Sequence, residues 1–240
     1  MSAQGPKASH LWKYCDRMHI GRIRHDLRRF RSSRVNHKIA LFDPNSNGVR
    51  YLQMLIYCMA GSLSEANWQR LRNTGNRKFL GDPITVTRNG EAVCLDYLQA
   101  VLELEFIAAY LADGEPATVI EIGAGYGRTA HMIACNCKIK AYRIVDLPGC
   151  LALSEQYLKQ VLTTEQFERF QFIPIADLHR IENQNFDLAI NIDSFAEMDR
   201  NTVHCYLDRI ERQCRYFYVK NPVCNNLVRP ADPTLGGGGA

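Results

Sequence analysis

Val119-Ile-Glu-Ile-Gly-Ala-Gly-Tyr-Gly127 is the stretch whose reading decides the fold. The residues Thr118–Ile122 form a short β-branched run, which reads as a buried parallel strand. Three glycines then follow at alternate positions, and a helix is predicted from about Tyr126 to Cys137. The same alternation continues downstream. A second strand covers Ala141–Val145 and ends at Asp146, after which Leu147-Pro148 opens a helix reaching about Leu162, proline being tolerated in a first turn. Phe170–Ile175 and Phe186–Ile192 read as the third and fourth strands. A helix at about Arg200–Cys214 and a fifth strand at Tyr216–Val219 follow. Strands alternating with helices predict an α/β fold, with a parallel sheet covered by helices on both faces.

Upstream of residue 115 the periodicity is helical. Leu52, Leu55, Ile56 and Met59 fit one helix face; Leu95, Leu98, Val101, Leu102, Glu105, Phe106 and Ala109 fit another. Between them lie the turn signals Asn73–Asn76, Gly81–Pro83 and Arg88–Gly90, with Ile84–Thr87 as an edge strand or a loop. The chain therefore divides into a basic arm (1–40), a helical cap or lid region (41–115), a Rossmann-like domain (116–222) and a flexible tail (223–240) that carries Gly236–Gly239.

Composition narrows the function classes. Hydrophobic residues make up 46% of the 240 residues and charged residues 22%, an ordinary globular balance. No apolar run approaches the ~20 residues of a membrane span. The N-terminus has no apolar leader core, and the nine scattered cysteines contain no C-x-x-C pair. Free thiols in a reducing, cytoplasmic setting are expected, and no metal site. The net charge of +4 is uneven: residues 1–40 carry ten Lys and Arg against two Asp, 10 − 2 = +8, which leaves 4 − 8 = −4 for the rest. The arm could touch phosphate, or be a solvated helix. No aromatics are interleaved with it at regular spacing, which makes nucleic acid the weaker partner reading.

The chemistry centres on the glycine turn. A dinucleotide fingerprint is G-x-G-x-x-G, whereas this chain has Gly123-x-Gly125-x-Gly127 preceded by Glu121. That pattern resembles motif I of class I S-adenosylmethionine-dependent methyltransferases. S-adenosylmethionine has no pyrophosphate, so the loop would pack on its amino acid part and ribose, with glycine allowing close backbone approach. Glu121 can accept from the cofactor's ammonium. The helix N-terminus offers amides to its carboxylate, and Arg128 either reinforces them or lies exposed in the first turn. Asp146, 146 − 121 = 25 positions after Glu121, suits the ribose diol; its other role is capping the following helix. Gly123, Ala124, Gly125, Tyr126, Gly127, Leu147 and Asn191 complete the expected contacts. The same resemblance implies that Asp177 accepts from the adenine amine, flanked by Ala176 and Leu178; its other reading is an ordinary loop aspartate. Strand ends form the ligand crevice in such sheets, which makes Glu197, Asp193, His179 and His204 the candidate bases. His131 is read as structural.

From Val119 to about Pro222 the chain resembles the sugar O-methyltransferase family of class I enzymes. The similarity lies in Glu121–Arg128, Tyr142–Pro148, Leu153–Leu158, Phe186–Asn191, Ser194–Met198 and Tyr216–Asn221, with Gly75-Asn76 and Gly81–Pro83 upstream. It implies methyl transfer to a hydroxyl of a sugar or a glycosylated small molecule. A phenol, an amine or RNA are alternative acceptors, and an inactive binding protein is the non-enzymatic alternative. One departure stands out. A complete class I sheet has seven strands, and only about 20 residues follow the fifth strand here. The sheet is expected to be shortened at its C-terminal edge. Truncation, divergence, or completion of that edge by a partner or a second copy of the chain are the readings this leaves.

Overall fold

The computed structural model describes residues 12, 13, 20, 27–32, 48–111 and 115–222. Most of the basic arm and the whole 223–240 tail lie outside the described residues.

The first layer is helical. Helix α1 (Val49–Gly61) buries Leu52, Ile56 and Ala60, and leaves Leu55 partly exposed. Helix α2 (Glu65–Asn73) starts at Ser64, whose hydroxyl accepts from the Asn67 amide. A 3₁₀ turn (Gly75–Phe79) leads to an antiparallel hairpin, β1 (Thr85–Arg88) and β2 (Glu91–Cys94). Asn89 and Gly90 both have positive φ, 53° and 81°, as a two-residue hairpin turn requires. The strand β2 is absent from the sequence reading. Only four residues separate its turn from helix α3 (Leu95–Ala108), too few to show a period.

The sequence reading also misplaced the buried face of α3. Leu95, Leu98 and Val101 are buried as expected, but Leu102 and Phe106 face outward, with Phe106 62% exposed. Tyr97, Ala100, Leu104 and Ile107 take the interior instead. The reason is that α3 packs against α1, α2 and the helix α4 (Arg128–Asn136), so more than one stripe of it is covered.

The remainder is a five-stranded parallel sheet in the order β5-β4-β3-β6-β7: β3 (Ala117–Ile122), β4 (Ile139–Asp146), β5 (Phe170–Pro174), β6 (Phe186–Ile192) and β7 (Cys214–Lys220). Helix α5 (Pro148–Val161) follows β4, the single turn α6 (Thr164–Phe167) precedes β5, and α7 (Arg200–Gln213) joins β6 to β7. This is the Rossmann-like α/β architecture. The chain runs outward from β3 through β4 to β5, then crosses back to β6 beside β3. The C-terminal ends of β3 and β6 therefore border the crevice of a topological switch point. Strand faces sort the core. Val119, Ile144 and Ile190 join one hydrophobic cluster that continues to Leu52 on α1, while Ile120, Val145 and Ala189 pack with Tyr206 and Ile210 of α7 on the opposite face. Among the described residues, no helix is long and apolar enough to cross a membrane.

A polar node locks the N-terminal layer to this core. The Arg31 guanidinium donates to the Asp96 carboxylate (2.9 Å), to the carbonyls of Lys78 and Leu80, and to the Cys94 sulfur. The Tyr126 hydroxyl donates to the same Asp96 carboxylate, and Phe30 packs edge-on against Tyr126 and Tyr157. Both charged side chains are almost fully buried. Removing one partner of such a pair strands the other charge in a dry site, at about 3–5 kcal/mol. Arg31→Met is expected to lower the unfolding free energy in a denaturant titration by about 3 kcal/mol or more. Adding Asp96→Asn should recover part of that loss, because the unpaired charge is then gone.

Candidate functional site

The C-terminal ends of β3, β4 and β6 and the start of the segment after β5 surround one cavity. Its walls include Glu121, Gly123–Tyr126, Arg128, Asp146, Leu147, Asp193, Ser194 and Glu197, together with an apolar group formed by Val145, Cys150, Ile175, Ile192, Met198 and Tyr206. Trp12 from the N-terminal segment also lines it, and its indole N–H donates to the Glu197 carboxylate.

The glycine loop is shaped by two constraints. At Gly123, φ is +77° and an added Cβ would fall on the Ser194 hydroxymethyl group. At Gly125, φ is +60° but, its two chain neighbours aside, no atom of the described residues lies within 4 Å of where a Cβ would sit, so this face of the loop is open to the cavity. Gly127 lies outside the cavity walls and N-caps α4 in a left-handed conformation. Asp146 secures the loop: one carboxylate oxygen accepts from the Gly125 amide (3.1 Å), the other from the Leu147 amide (2.7 Å). It thus anchors both the glycine turn and the first turn of α5.

Glu121 is 3% exposed and accepts from the Tyr142 hydroxyl at 2.7 Å. Burial pushes its carboxyl from the ordinary 4.5 up to about 7, against the opposing pull of Tyr142 and Arg128. Asp193 has φ +62°, a left-handed conformation that an Asp rarely adopts, and its amide donates to the Lys220 carbonyl (2.7 Å). Burial also raises the Asp193 carboxyl. Strain of this kind, held at a cavity wall, is typical of ligand sites.

Arg128 lines the cavity and is not exposed in the first turn of α4. It is buried, and its guanidinium pairs with Glu103 of α3 (2.9 and 3.1 Å) and donates to the Asp96 carbonyl. Lys220 completes the group by donating to Glu103 and Gln99. Asn191 does not reach the cavity. Its amide nitrogen donates to the Ile122 carbonyl and Ser194 Oγ, and its oxygen accepts from the Phe195 amide and Asn221 Nδ2. Ala176, Asp177 and His179 lie outside the cavity walls, Ala176 and His179 exposed, and Asp177 within 3.7 Å of Arg180. The cause is local. The strand ends at Pro174, one residue earlier than the sequence suggested, and a 3₁₀ turn (Ile175–Ile181) then sets Ile175 in the cavity wall, Ala176 and His179 outward, and Leu178 and Ile181 into the core. His204 is exposed on α7. His131 is fully buried, hydrogen-bonded through Nδ1 to the Tyr97 hydroxyl, and held neutral with its pKa lowered to about 3 by burial and nearby cations.

The sequence reading missed Trp12, Ile175 and Tyr206 as wall residues. Only Tyr206 carried a signal: Thr202, Tyr206 and Ile210 recur at i, i+4, i+8 on a predicted helix, and all three are buried. Among the described residues, no three His, Cys, Asp or Glu side chains gather as a metal site would require.

No protein-family model and no curated protein sequence matches the chain. Among solved structures it is similar to the methyltransferase domain of bacterial CtHen1, at 20% identity and TM-score 0.41, over 48% of this chain and 63% of that one. It is also similar to an O-methyltransferase family protein from Burkholderia thailandensis (15%, TM-score 0.37, 50% and 37%). A third is the glycopeptide N-methyltransferase MtfA complexed with S-adenosyl-L-methionine (15%, TM-score 0.41, 50% and 53%). The matched region spans 63%, 37% and 53% of these three structures' lengths, less than two thirds of each. What the cavity can bind follows from its own geometry.

Two expectations test that geometry. Gly123→Ala should destabilise the protein by about 2 kcal/mol through backbone strain and the clash with Ser194. Ser194→Gly in the same chain should relieve the steric part, which a double-mutant cycle in denaturant would measure. For Glu121, the folded protein holds the proton more tightly than the unfolded chain. Its contribution to stability is therefore fully present below about pH 4.5 and is lost as pH rises through about 7. Glu121→Gln should abolish that decline, so the variant exceeds wild type above pH 7 by up to about 3 kcal/mol, and the gap should close near pH 4.

Proposed function

We propose that the cavity binds S-adenosylmethionine and that the protein transfers its methyl group to an acceptor hydroxyl, with a sugar as the acceptor class. The observation that carries this is the open backbone of Gly125, set between the buried carboxylates of Glu121 and Asp146 at the switch point of a parallel sheet. A dinucleotide would ask for phosphate donors at the helix N-terminus. This loop instead offers two anionic acceptors, the complement of an ammonium and a ribose diol.

Each residue then has a defined task. Glu121 accepts from the ammonium, and the cation in turn draws its proton off, so cofactor affinity should fall as pH drops below about 7. Asp146 receives the ribose hydroxyls while holding the loop; an ionised carboxylate accepts several hydrogen bonds at once. The apolar walls from Cys150, Ile175 and Met198 take the adenine face. Bound S-adenosylmethionine supplies the electrophilic methyl carbon. Asp193 and Glu197, across the cavity, are the carboxylates in place to take the acceptor's proton. Raising the Asp193 carboxyl by burial brings it toward the range where a general base works well. His179, exposed and outside the walls, has no part in this scheme. The sugar assignment rests on the Asp146-Leu-Pro148 and Ser194–Met198 resemblance described above.

Isothermal titration calorimetry with S-adenosylmethionine and S-adenosylhomocysteine tests the reading. Wild type is expected to bind in the micromolar range, and Asp146→Ala at least tenfold more weakly, about 1.4 kcal/mol. No binding by wild type would overturn it.

A further inference from the structure

Among the described residues, one polar atom of the cavity wall has nothing to bond. Tyr206 is 1% exposed, its ring stacks near Phe195 at 6.0 Å, and its hydroxyl is buried without a hydrogen-bond partner among the described residues. The residue belongs to the cavity wall, and its hydroxyl is near enough to Asp146 to feel that carboxylate's charge. An unsatisfied buried hydroxyl is unfavourable by about 1–3 kcal/mol and is rare in folded proteins. A site that keeps one in its wall is short of a ligand atom. The surrounding walls say which end of a ligand that atom belongs to. Glu121 and Asp193 both feel the charge of Arg128, while Val145, Ile175 and Met198 pack with Tyr206 in an apolar cluster, which suits a flat, apolar part of a ligand.

Resting on the cofactor reading above, we propose that Tyr206 is the specificity-determining residue for the purine, its hydroxyl bonding the edge of the adenine ring. The position that the sequence assigned to this task, Asp177, faces outward beside Arg180. Recognition of the base thereby passes from the end of β5 to helix α7. A phenol can donate to a ring nitrogen or accept from an exocyclic amine, and either bond discriminates adenine from an apolar surface of the same shape.

The test compares wild type with Tyr206→Phe, which keeps the ring and its packing and deletes only the hydroxyl. Two probes are titrated: S-adenosylhomocysteine, and methylthioadenosine, which has the nucleoside without the amino acid. Both should bind the variant roughly five- to tenfold more weakly, by the same factor. The ligand-free variant should melt at the same temperature as wild type or higher, because no internal bond is lost. Unchanged affinity, a loss confined to S-adenosylhomocysteine, or a lower melting temperature without ligand would each overturn the proposal. These outcomes differ from a wild type that binds neither probe, which would overturn the cofactor reading itself.

Discussion

The carboxamide of Asn191 is the constraint on which the crevice depends. One buried side chain uses both donors and its acceptor to join four pieces of backbone or side chain: the end of β3 at Ile122, the turn at Ser194, the amide of Phe195, and Asn221 just beyond β7. Three adjacent parallel strands are thereby fixed relative to one another where they stop. Everything functional is built on that fixed rim. Ser194 is held against Gly123, Asp193 is forced into its left-handed conformation one residue before, and the cavity keeps its floor. An Asp at 191 would offer acceptors where Ile122 also presents an acceptor, so the geometry selects an amide over a carboxylate.

Around this rim the charges are arranged unevenly. The buried cation nearest the glycine loop, Arg128, is committed to Glu103, and Lys220 shares the same carboxylate. Glu121 and Asp193 are left with their carboxyls raised by burial, not lowered by a close ion pair. Removing water from a carboxylate without supplying a direct counter-charge is unfavourable. A cationic ligand reverses that balance, and this is the physical sense in which the site suits a positively charged ligand.

The sheet was legible in the sequence because its strands are short β-branched or aromatic runs bounded by turn signals. Phe186–Ile192 was located to the residue, and β3 and β4 to within two. What escaped depended on contacts between distant segments. Arg128 could not be assigned because its partner, Glu103, lies on a helix covered on several sides, which periodicity alone describes poorly. Asp177 was misplaced by one residue of strand length, enough to exchange it for Ile175 in the cavity wall. Trp12 reaches Glu197 across 185 residues of sequence, and no local pattern announces such a contact.

The unbroken hydrophobic cluster from Leu52 on α1 to Ile192 on β6 bears on how the protein can change. Its helical layer and its sheet share one core. Tyr97 and Ile107 of α3 are buried in that cluster, and Tyr97 bonds to His131 of α4 and Tyr157 of α5, so the helical layer could not be exchanged without disturbing the core beneath it. A change in what the cavity admits is therefore more accessible at its rim, at positions such as Met198 and Glu197, than by exchanging the helical layer.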